Sequence, residues 1–479
     1  MNKIVERCKL APGFSVSCVL TGLWQIADME RDGHSLDLNV AAEAMIPYVD
    51  AGFTTFDMAD HYGSAEEIAG LFLKEHGPRA ELLTKWVPKP GQVKREEVRD
   101  AVQRSLDRMQ ASRLDLLQFH TWNYTDPNWL DCLYWLQELK QEGLIRHLGL
   151  TNVDTPHLRI VLNCGIEIVS NQVSFSLLDQ RARRGMTDLC MEYGVKLLAF
   201  GTVAGGFLTE RWLGKPEPEL DELSSWPQMK YKRFIDAAGG WKVFQDLLHR
   251  VDQIAHRLGV STANVASRYI LEQPAVGGII IGARLGQTEH IQNNLRIFQF
   301  SLDESSRSKI RDFLARMKPI PGDCGDEYRK PPFLTASGDL SHHVESIPLP
   351  YEPQISDDGH AVVLGGDSRA IRRDKHISIS ATDATYGNRV IGGRDAVAQF
   401  HFVVDKIEGA INSLGGRLKD VVCTEVHLRE AADVESVVHA FGARFQGIQL
   451  TNTLTQAKIE GEGSLVEMKA DAIISGEIT

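Results

Sequence analysis

The sequence lacks the features that mark several common classes of protein. Its seven cysteines form no CxxC pair, so we interpret them as free thiols of a reducing cytosol. Its apolar runs are no longer than a strand, which excludes a membrane-spanning helix, and the first residues lack the apolar stretch of a secretory signal. Basic residues are too few for a protein that binds nucleic acid through bulk positive charge, because 52 Lys and Arg stand against 64 Asp and Glu. We therefore expect a cytoplasmic protein with a small-molecule partner, and no membrane or nucleic-acid partner.

What is present is the pattern of a large α/β domain. Hydrophobic residues make up 43% of the 479 residues and charged residues 24%, which is enough apolar material for sizeable cores. Up to about residue 316, short apolar runs alternate with amphipathic helical stretches, which predicts a parallel sheet with helical crossovers. Eight such units favour a closed (β/α)8 TIM barrel, and an open doubly wound sheet is disfavoured because no GxGxxG follows the first run. The runs are 19–24, 53–57, 82–86, 114–120, 147–150, 168–173, 195–200 and 278–281.

The alternation stops near residue 318. Residues 319–349 are rich in proline and polar side chains, which predicts a linker or an arm that runs over a surface. The order of the elements that follow is β-β-α-β-α-β, typical of a small α+β domain over 350–479. Its strands are expected at 361–365, 376–380, 421–429 and 464–474, and its helices at 397–414 and 432–445.

Four polar side chains fall at or just beyond successive strand ends of the predicted barrel. Asp57 ends the second run, Tyr62 follows it, Lys85 lies in the third and His120 ends the fourth. Each alone has an ordinary structural explanation, such as a loop cap, a rim charge or a core histidine. Because the catalytic groups of such barrels lie at the carboxyl ends of the strands, the combination favours a catalytic site, with no metal ligands expected.

These four residue types fit the supply of a proton to a carbonyl that receives hydride. A phenol has a pKa of ~10, and a nearby ammonium lowers it by favouring the phenolate. Lys85 could provide that ammonium, held by an ion pair with Asp57. His120 could donate a hydrogen bond to the carbonyl oxygen, a contribution of ~3 kcal/mol. Tyr62 would then act as general acid in reduction and as base in oxidation.

The segment Phe56-Asp57-Met58-Ala59 with Tyr62, followed by Lys85 and His120, resembles the aldo-keto reductase superfamily over residues 5–316. The resemblance implies a TIM barrel that binds NADP(H) without a Rossmann glycine motif. In GLIRHLGLTN and NQVSF, it implies that Thr151, Asn152 and Gln172 hold the nicotinamide carboxamide. It also implies a backbone that approaches the pyrophosphate near Gly201. The segment IIGARLGQTEHIQNNL resembles the family's adenosine-phosphate segment, with Gly282, Ala283, Arg284, Gln287, His290 and Asn294 at its binding positions.

Two further expectations concern specificity. The planar guanidinium of Arg284 suits a 2′-phosphate, so NADP(H) is preferred over NAD(H). Trp24, Trp86 and Trp122 lie at strand ends or just beyond, and we expect them to wall the substrate pocket, with barrel-rim packing as the alternative for each. The long stretch after the seventh run, which contains Trp212, Trp226 and Trp241, is a candidate lid.

Residues from about 350 to 475 resemble the RidA/YjgF family of small trimeric α+β proteins. The resemblance lies in DSRAIRRDKHISIS, in the stretch from DAVAQFHF to AFGARF, and in TNTLTQAKIEGEGSLVEMKADAII. Members hydrolyse enamines and imines with an arginine that holds the substrate carboxylate, and Asn452 stands at that position. An amide has neither the charge nor the bidentate grip of a guanidinium. The unit is therefore expected to serve oligomerisation or small-molecule binding, or else capture of an unstable product.

Taken together, the sequence predicts an NADP(H)-dependent oxidoreductase that interconverts a carbonyl compound (an aldehyde, ketone or sugar) and an alcohol. A homo-oligomer is expected, with a trimer formed through the RidA-like domain. Two alternatives stay open at this point. One is imine reduction or processing coupled to the second domain. The other is a cofactor-sensing regulatory subunit with little turnover, against which the complete set of four polar residues argues.

Overall fold

The computed structural model describes residues 5–330, 334, 347–355, 361–365 and 368–475. The first elements are two antiparallel strands, β1 (Arg7–Ala11) and β2 (Phe14–Ser17). Phe14 and Val16 of this hairpin pack against Leu20, Leu83 and other apolar side chains inside the barrel that follows. The hairpin thus fills the end of the barrel opposite to the carboxyl ends of its strands.

Eight parallel strands close into a barrel in their order along the chain, and the last pairs with the first. This confirms the (β/α)8 barrel that the alternating sequence pattern predicts. The strands are β3 (Val19–Gly22), β4 (Thr55–Asp57), β5 (Glu81–Trp86), β6 (Leu114–Phe119), β7 (Ile145–Thr151), β8 (Ile168–Ser174), β9 (Lys196–Phe200) and β10 (Val276–Gly282).

Helices surround the barrel and bury their apolar stripes against it. In the helix Arg95–Met109, the buried side chains include Val98, Val102 and Leu106, spaced as an amphipathic helix requires. Among the described residues, no helix combines the length and the apolar character needed to cross a bilayer. The helices are α1 (Trp24–Met29), α2 (Leu38–Glu43), α3 (Ile46–Asp50), α4 (Ala65–His76), α5 (Arg95–Met109), α6 (Asn128–Gln141), α7 (Thr155–Asn163), α8 (Met186–Tyr193), α9 (Trp226–Ala237), α10 (Trp241–Leu258), α11 (Thr262–Leu271), α12 (Glu289–Leu295), α13 (Glu304–Leu314) and α14 (Asp326–Arg329).

The stretch predicted as a linker or an arm begins with residues 319–330, which pack on the barrel and end with α14. Its Glu327 forms a buried ion pair with Arg181, which also binds Asp179; the two distances are 2.8 and 2.7 Å. All three side chains are inaccessible to solvent, so the arm is part of the barrel's packing. Residues 331–333 and 335–346 of the proline-rich stretch lie outside the described residues.

The second unit is a mixed sheet with two helices on one face, an α+β arrangement. More strands are present than the sequence pattern predicts. Edge strand β18 illustrates the reason, since its side chains are mostly exposed and lack an apolar alternation. Within the described residues the elements are β11 (Gln354–Ile355), β12 (Ala361–Gly365), β13 (Ser368–Arg373), β14 (His376–Asp383), β15 (Thr385–Tyr386), β16 (Arg389–Val390), α15 (Ala396–Ser413), β17 (Val421–Leu428), α16 (Val434–Arg444), β18 (Thr451–Gln456) and β19 (Val466–Ile473). The main sheet has the order β11-β12-β13-β14-β19-β17-β18.

A buried cluster of charges joins the two units where α7 meets α15. His157 of the barrel lies between Asp154 and Asp405, and its Nε2 is 2.9 Å from Asp405 Oδ2. Arg444 donates to the other oxygen of Asp405 at 2.7 Å. The carboxylates on both sides raise the pKa of His157 above its usual value, although burial opposes them, and so favour the imidazolium. Separation of the units would expose this cluster.

Candidate active site

The barrel brings an ammonium, a carboxylate and a phenol together at the carboxyl ends of its strands. Lys85 of β5 donates to Asp57 Oδ2, the end of β4, at 2.7 Å and to the Met58 carbonyl at 2.8 Å. Each side chain of this ion pair is 4% exposed. Lys85 Nζ also lies 4.8 Å from the centroid of the Tyr62 ring, in the loop after β4. Three of the four residues singled out by the sequence are therefore in direct proximity.

Burial and charge act in opposite directions on Lys85. Burial lowers the pKa of the Lys85 ammonium, because the charged form loses its hydration, and the neighbouring Asp57 carboxylate opposes that shift. Two glutamines hold the other oxygen of Asp57: Gln172 Nε2 donates to Oδ1 at 2.7 Å, and Gln118 Nε2 at 3.0 Å. Asp57 is thus fixed from two sides as the partner of the ammonium.

Gln118 is a site residue that the sequence analysis did not single out. It lies in β6, two positions before His120, so both side chains point to the same face of the strand. In LLQFH, side chains alternate between the inside and the outside of the barrel, and this alternation is the signal that could have identified Gln118. Gln172, expected at the nicotinamide carboxamide, also donates from Nε2 to Gln118 Oε1 at 2.8 Å, and its contact with the cofactor stays a prediction.

His120 follows β6 directly, and its ring lies among aromatic side chains. The Trp122 ring lies edge-on at 4.5 Å between centroids, and the Tyr328 ring of the arm at 5.8 Å. His120 Nδ1 is 3.2 Å from the carbonyl oxygen of Thr151. A carbonyl can only accept, so Nδ1 carries a hydrogen, and Nε2 can donate only when the ring is an imidazolium. The sequence analysis did not foresee this condition on His120 as a donor.

Asn152 presents an unsatisfied amide oxygen beside this group. Its backbone has a φ of 57°, a left-handed conformation that is uncommon for a residue other than glycine. Its N–H donates to the Gln172 carbonyl at 2.8 Å. Its side-chain Oδ1 is buried and has no hydrogen-bond partner among the residues that the structure describes. An amide N–H of a bound ligand would satisfy it, as a nicotinamide carboxamide could, whereas Thr151 Oγ1 already donates to the Gln172 carbonyl at 3.3 Å.

The residues assigned to the adenosine-phosphate segment gather at one cleft beyond β10. This cleft is also lined by Tyr48, whose hydroxyl donates to the Gln287 carbonyl at 3.0 Å. The Arg284 guanidinium forms an ion pair with Asp28 of α1, whose side chain is 3% exposed. Any anion that binds Arg284 would therefore compete with the Asp28 carboxylate. The expected residues that line the cleft are Gly282, Ala283, Arg284, Gln287, His290 and Asn294.

Helix α9 and the loop after β9 cover the mouth of the barrel. Gly201 has a φ of 80°, and a Cβ there would clash with the hydroxyl of Tyr231 of α9. Trp226 at the start of α9 lies 5.6 Å from Trp24, between ring centroids. The stretch predicted as a candidate lid therefore lies beside Gly201 and Trp24, and its role as a lid stays a prediction.

The three tryptophans expected in the pocket have different environments. Trp24 lies edge-on to Tyr62 with 5.0 Å between ring centroids, and Trp122 contacts His120 as described. Trp86 is buried against Phe119 at 5.5 Å, in the layer between strands and helices. Its neighbour Lys85 points into the barrel, so alternation along β5 turns Trp86 away from the mouth. The structure brings Trp24 and Trp122 to the site and not Trp86.

Comparison with known proteins agrees with this geometry. Residues 19–315 match the model of the Aldo/keto reductase family. The Bacillus subtilis protein named aldo-keto reductase YhdN is 26% identical over 337 residues, which cover 67% of this chain and 96% of that one. The Escherichia coli NADH-specific methylglyoxal reductase is 24% identical, with 61% and 92% covered. Among solved structures, the glycerol dehydrogenase of Gluconobacter oxydans aligns with a TM-score of 0.55 and 22% identity, covering 67% of this chain and 98% of its own.

The match to the family ends at residue 315, so it concerns the barrel and not the second unit. The likeness of residues 350–475 to the RidA/YjgF family stays a prediction from sequence. For the barrel, the match covers more than half of the chain and agrees with the closed sheet. The chain belongs to the aldo/keto reductase family.

Proposed function

We propose that the barrel interconverts a carbonyl compound (an aldehyde, ketone or sugar) and its alcohol with NADP(H), using Tyr62 as general acid and base. The observation that carries the proposal is the buried Lys85–Asp57 ion pair at 2.7 Å with its ammonium 4.8 Å from the Tyr62 ring. An ammonium at that distance favours the phenolate over the phenol. The site therefore supports proton transfer from a phenol at neutral pH.

The chain offers a fitting place for the nicotinamide cofactor. Asn152 Oδ1, which has no partner among the residues described, would accept a hydrogen bond from the carboxamide, and the cleft at Arg284 would hold the adenosine end. The bound reduced cofactor would supply hydride to the carbonyl carbon. Arg284 favours NADP(H), since its planar fork matches a phosphate, although the phosphate would have to compete with Asp28.

In reduction, the Tyr62 hydroxyl gives its proton to the carbonyl oxygen, and Lys85 stabilises the phenolate that remains. Gln118 and Gln172 keep Asp57 in place, and Asp57 in turn fixes Lys85. In oxidation the same phenolate accepts the proton of the alcohol. His120 would orient the carbonyl oxygen, and donation from Nε2 would require an imidazolium while its Nδ1–H is directed at the Thr151 carbonyl.

For the second unit we propose a role in homo-oligomerisation, as a trimer, or in binding a reactive intermediate. Asn452 lies on the exposed edge strand β18, where its Oδ1 accepts from Thr424 Oγ1 at 2.9 Å. The position expected to carry an arginine thus offers no charge for a substrate carboxylate. The buried cluster around His157 and Asp405 indicates that this unit is tied firmly to the barrel.

The proposal is tested by following NADPH and NADH oxidation with the full-length protein over a panel of aldehydes, ketones, sugars and cyclic imines. We expect reduction of at least one class of carbonyl compound, with NADPH preferred. The full chain is needed, since truncation would expose the His157 cluster to solvent. Turnover of imines alone would contradict the proposal, and so would tight NADPH binding without turnover of any compound in the panel.

A further inference from the structure

One face of α9 lies near both residues proposed to act on the carbonyl oxygen, Tyr62 and His120. Trp226 and Lys230 are four residues apart on this helix, so their side chains share a face. The Trp226 ring lies 5.6 Å from that of Trp24, which in turn lies 5.0 Å from the Tyr62 ring. The Trp24 ring therefore connects Trp226 to Tyr62, the proposed general acid.

Lys230 is connected to His120 in the same way, through the ring of Tyr328. Lys230 Nζ donates to the Tyr328 hydroxyl at 2.9 Å, and the Tyr328 ring lies edge-on to His120 at 5.8 Å between centroids. A substrate held by Tyr62 and His120 would thus extend toward the 226–230 face of α9. Trp24 and Trp226 would flank its apolar part, and the Lys230–Tyr328 pair would lie near its far end.

Lys230 is a cation among aromatic rings. Its Nζ lies 4.6 Å from the ring centroid of Phe200 and 5.0 Å from that of Tyr328. Within the described part of the chain, no carboxylate oxygen lies within 4.0 Å of Lys230 Nζ, the longest distance of an ion pair. The contrast is with Lys232 on the same helix, which forms ion pairs with Glu217 and Asp236, both at 2.7 Å.

Glu327 of the arm lies near Lys230 but forms its ion pair with another residue. Glu327 pairs with Arg181 at 2.8 Å, and it attracts Lys230 from a longer distance. Burial alone would lower the pKa of Lys230, but the interactions with Tyr328, Tyr231 and Glu327 together raise it overall. The hydrogen bond to Tyr328 uses one hydrogen of the Lys230 ammonium, which has two more to offer an acceptor.

We propose that Lys230 and Tyr328 bind a carboxylate of the substrate, so that the enzyme prefers carbonyl compounds carrying a carboxylate several bonds from the reacting carbon. Both groups can donate to an oxyanion, and such charge-assisted bonds are the strong ones. Tyr328 contacts His120 and Lys230 contacts Tyr328, which places the pair on the substrate side, whereas the predicted adenosine-phosphate cleft lies at Arg284. This inference rests on the proposed function and specifies its substrate class.

The test compares 4-carboxybenzaldehyde with its neutral amide, 4-formylbenzamide, in NADPH-dependent reduction. We expect the wild type to prefer the acid. Lys230→Met should lower kcat/KM for the acid about 10- to 100-fold more than for the amide, and Lys230→Arg should keep most of the preference. Lys242→Met is the matched control, because Lys242 is exposed on α10 and pairs only with Asp246 among the described residues.

Equal losses for both aldehydes in Lys230→Met would overturn the inference, since they indicate a structural role. An unchanged acid-to-amide ratio with weaker NADPH binding, measured by fluorescence titration, would also overturn it by assigning Lys230 to the cofactor phosphates. If the wild type reduces neither aldehyde, the proposed function is challenged separately, and calorimetry with benzoate and benzamide decides the inference. Benzoate binding that is lost in Lys230→Met supports it, and failure of the wild type to bind benzoate contradicts it.

Discussion

Arg329 of the arm donates to the backbone carbonyl of Asn152, with 2.6 Å between Nη1 and the oxygen. Its Nε and Nη2 donate to the carbonyl of Thr121 at 2.9 and 2.7 Å. The same guanidinium lies 4.5 Å from the centroid of the Tyr124 ring. One side chain thus ties together the ends of β6 and β7, next to His120 and to Asn152, whose Oδ1 has no hydrogen-bond partner among the described residues.

We predict that Arg329→Gln weakens NADPH binding about tenfold, because a neutral amide cannot hold both carbonyls and Asn152 would leave its left-handed conformation. Fluorescence titration with NADPH measures the effect, and melting temperatures show whether the variant is folded. Arg316→Gln is the control, since Arg316 is exposed. A folded Arg329→Gln protein with the wild-type Kd would contradict a positioning role.

Coenzyme preference should depend on the Arg284–Asp28 ion pair. Arg284→Ala is expected to raise the KM for NADPH far more than that for NADH, because only NADPH carries the 2′-phosphate that the guanidinium would bind. Asp28→Asn should lower the KM for NADPH, since it removes the carboxylate that competes for Arg284. Steady-state kinetics with both coenzymes provide the measurement. Parallel changes for NADPH and NADH in both variants would remove the basis for the preference.

The His157 cluster should make stability depend on pH in a defined direction. The pKa of His157 is raised from 6.5, so its stabilisation is complete below about pH 6.5 and is lost as the pH rises through the higher folded value. The pKa of Asp405 is lowered from 3.8, so its contribution is present above that pH and is lost as the pH falls through the lower value. Removal of one partner of a buried pair costs about 3–5 kcal/mol.

We therefore expect His157→Gln to lower Tm most between about pH 4 and pH 6.5, with a smaller difference from wild type at higher pH. Thermal unfolding followed across that range measures this. His249→Gln is a suitable control, because His249 is exposed on α10. A difference in Tm that grows from pH 6 to pH 9 would contradict the assignment of charge to the cluster.

The second unit should not hydrolyse the imines that the resemblance to RidA suggests. With Asn452 in place of the arginine, the full-length protein is expected to deaminate 2-iminoacids no faster than buffer does. A coupled assay, with the imines generated in place from amino acids, measures the rate. Rapid hydrolysis would show that another cation holds the substrate carboxylate and that Asn452 does not stand at the position of the family's arginine.

The sequence predicts the barrel and the proximity of Asp57, Tyr62 and Lys85 well, because both depend on local pattern: apolar runs at regular intervals, and polar residues where the runs end. The environment of Trp86 and the carbonyl partner of His120 could not be predicted in this way. They depend on the direction in which a side chain leaves the end of a strand. The contacts that the arm makes at the site were beyond prediction for a further reason. Arg329 and Tyr328 lie in a proline-rich stretch without periodicity, and they reach the site through contacts with residues about 180 to 210 positions away.

The most direct test of the central claim is the rate of carbonyl reduction by Tyr62→Phe, measured with NADPH and the best substrate from the panel. This change removes the hydroxyl and keeps the ring that contacts Trp24 and Lys85. We predict that kcat falls by a factor of at least 10²–10⁴ while the Kd for NADPH stays within about twofold of wild type. A variant that binds NADPH and reduces the carbonyl at the wild-type rate would contradict the account.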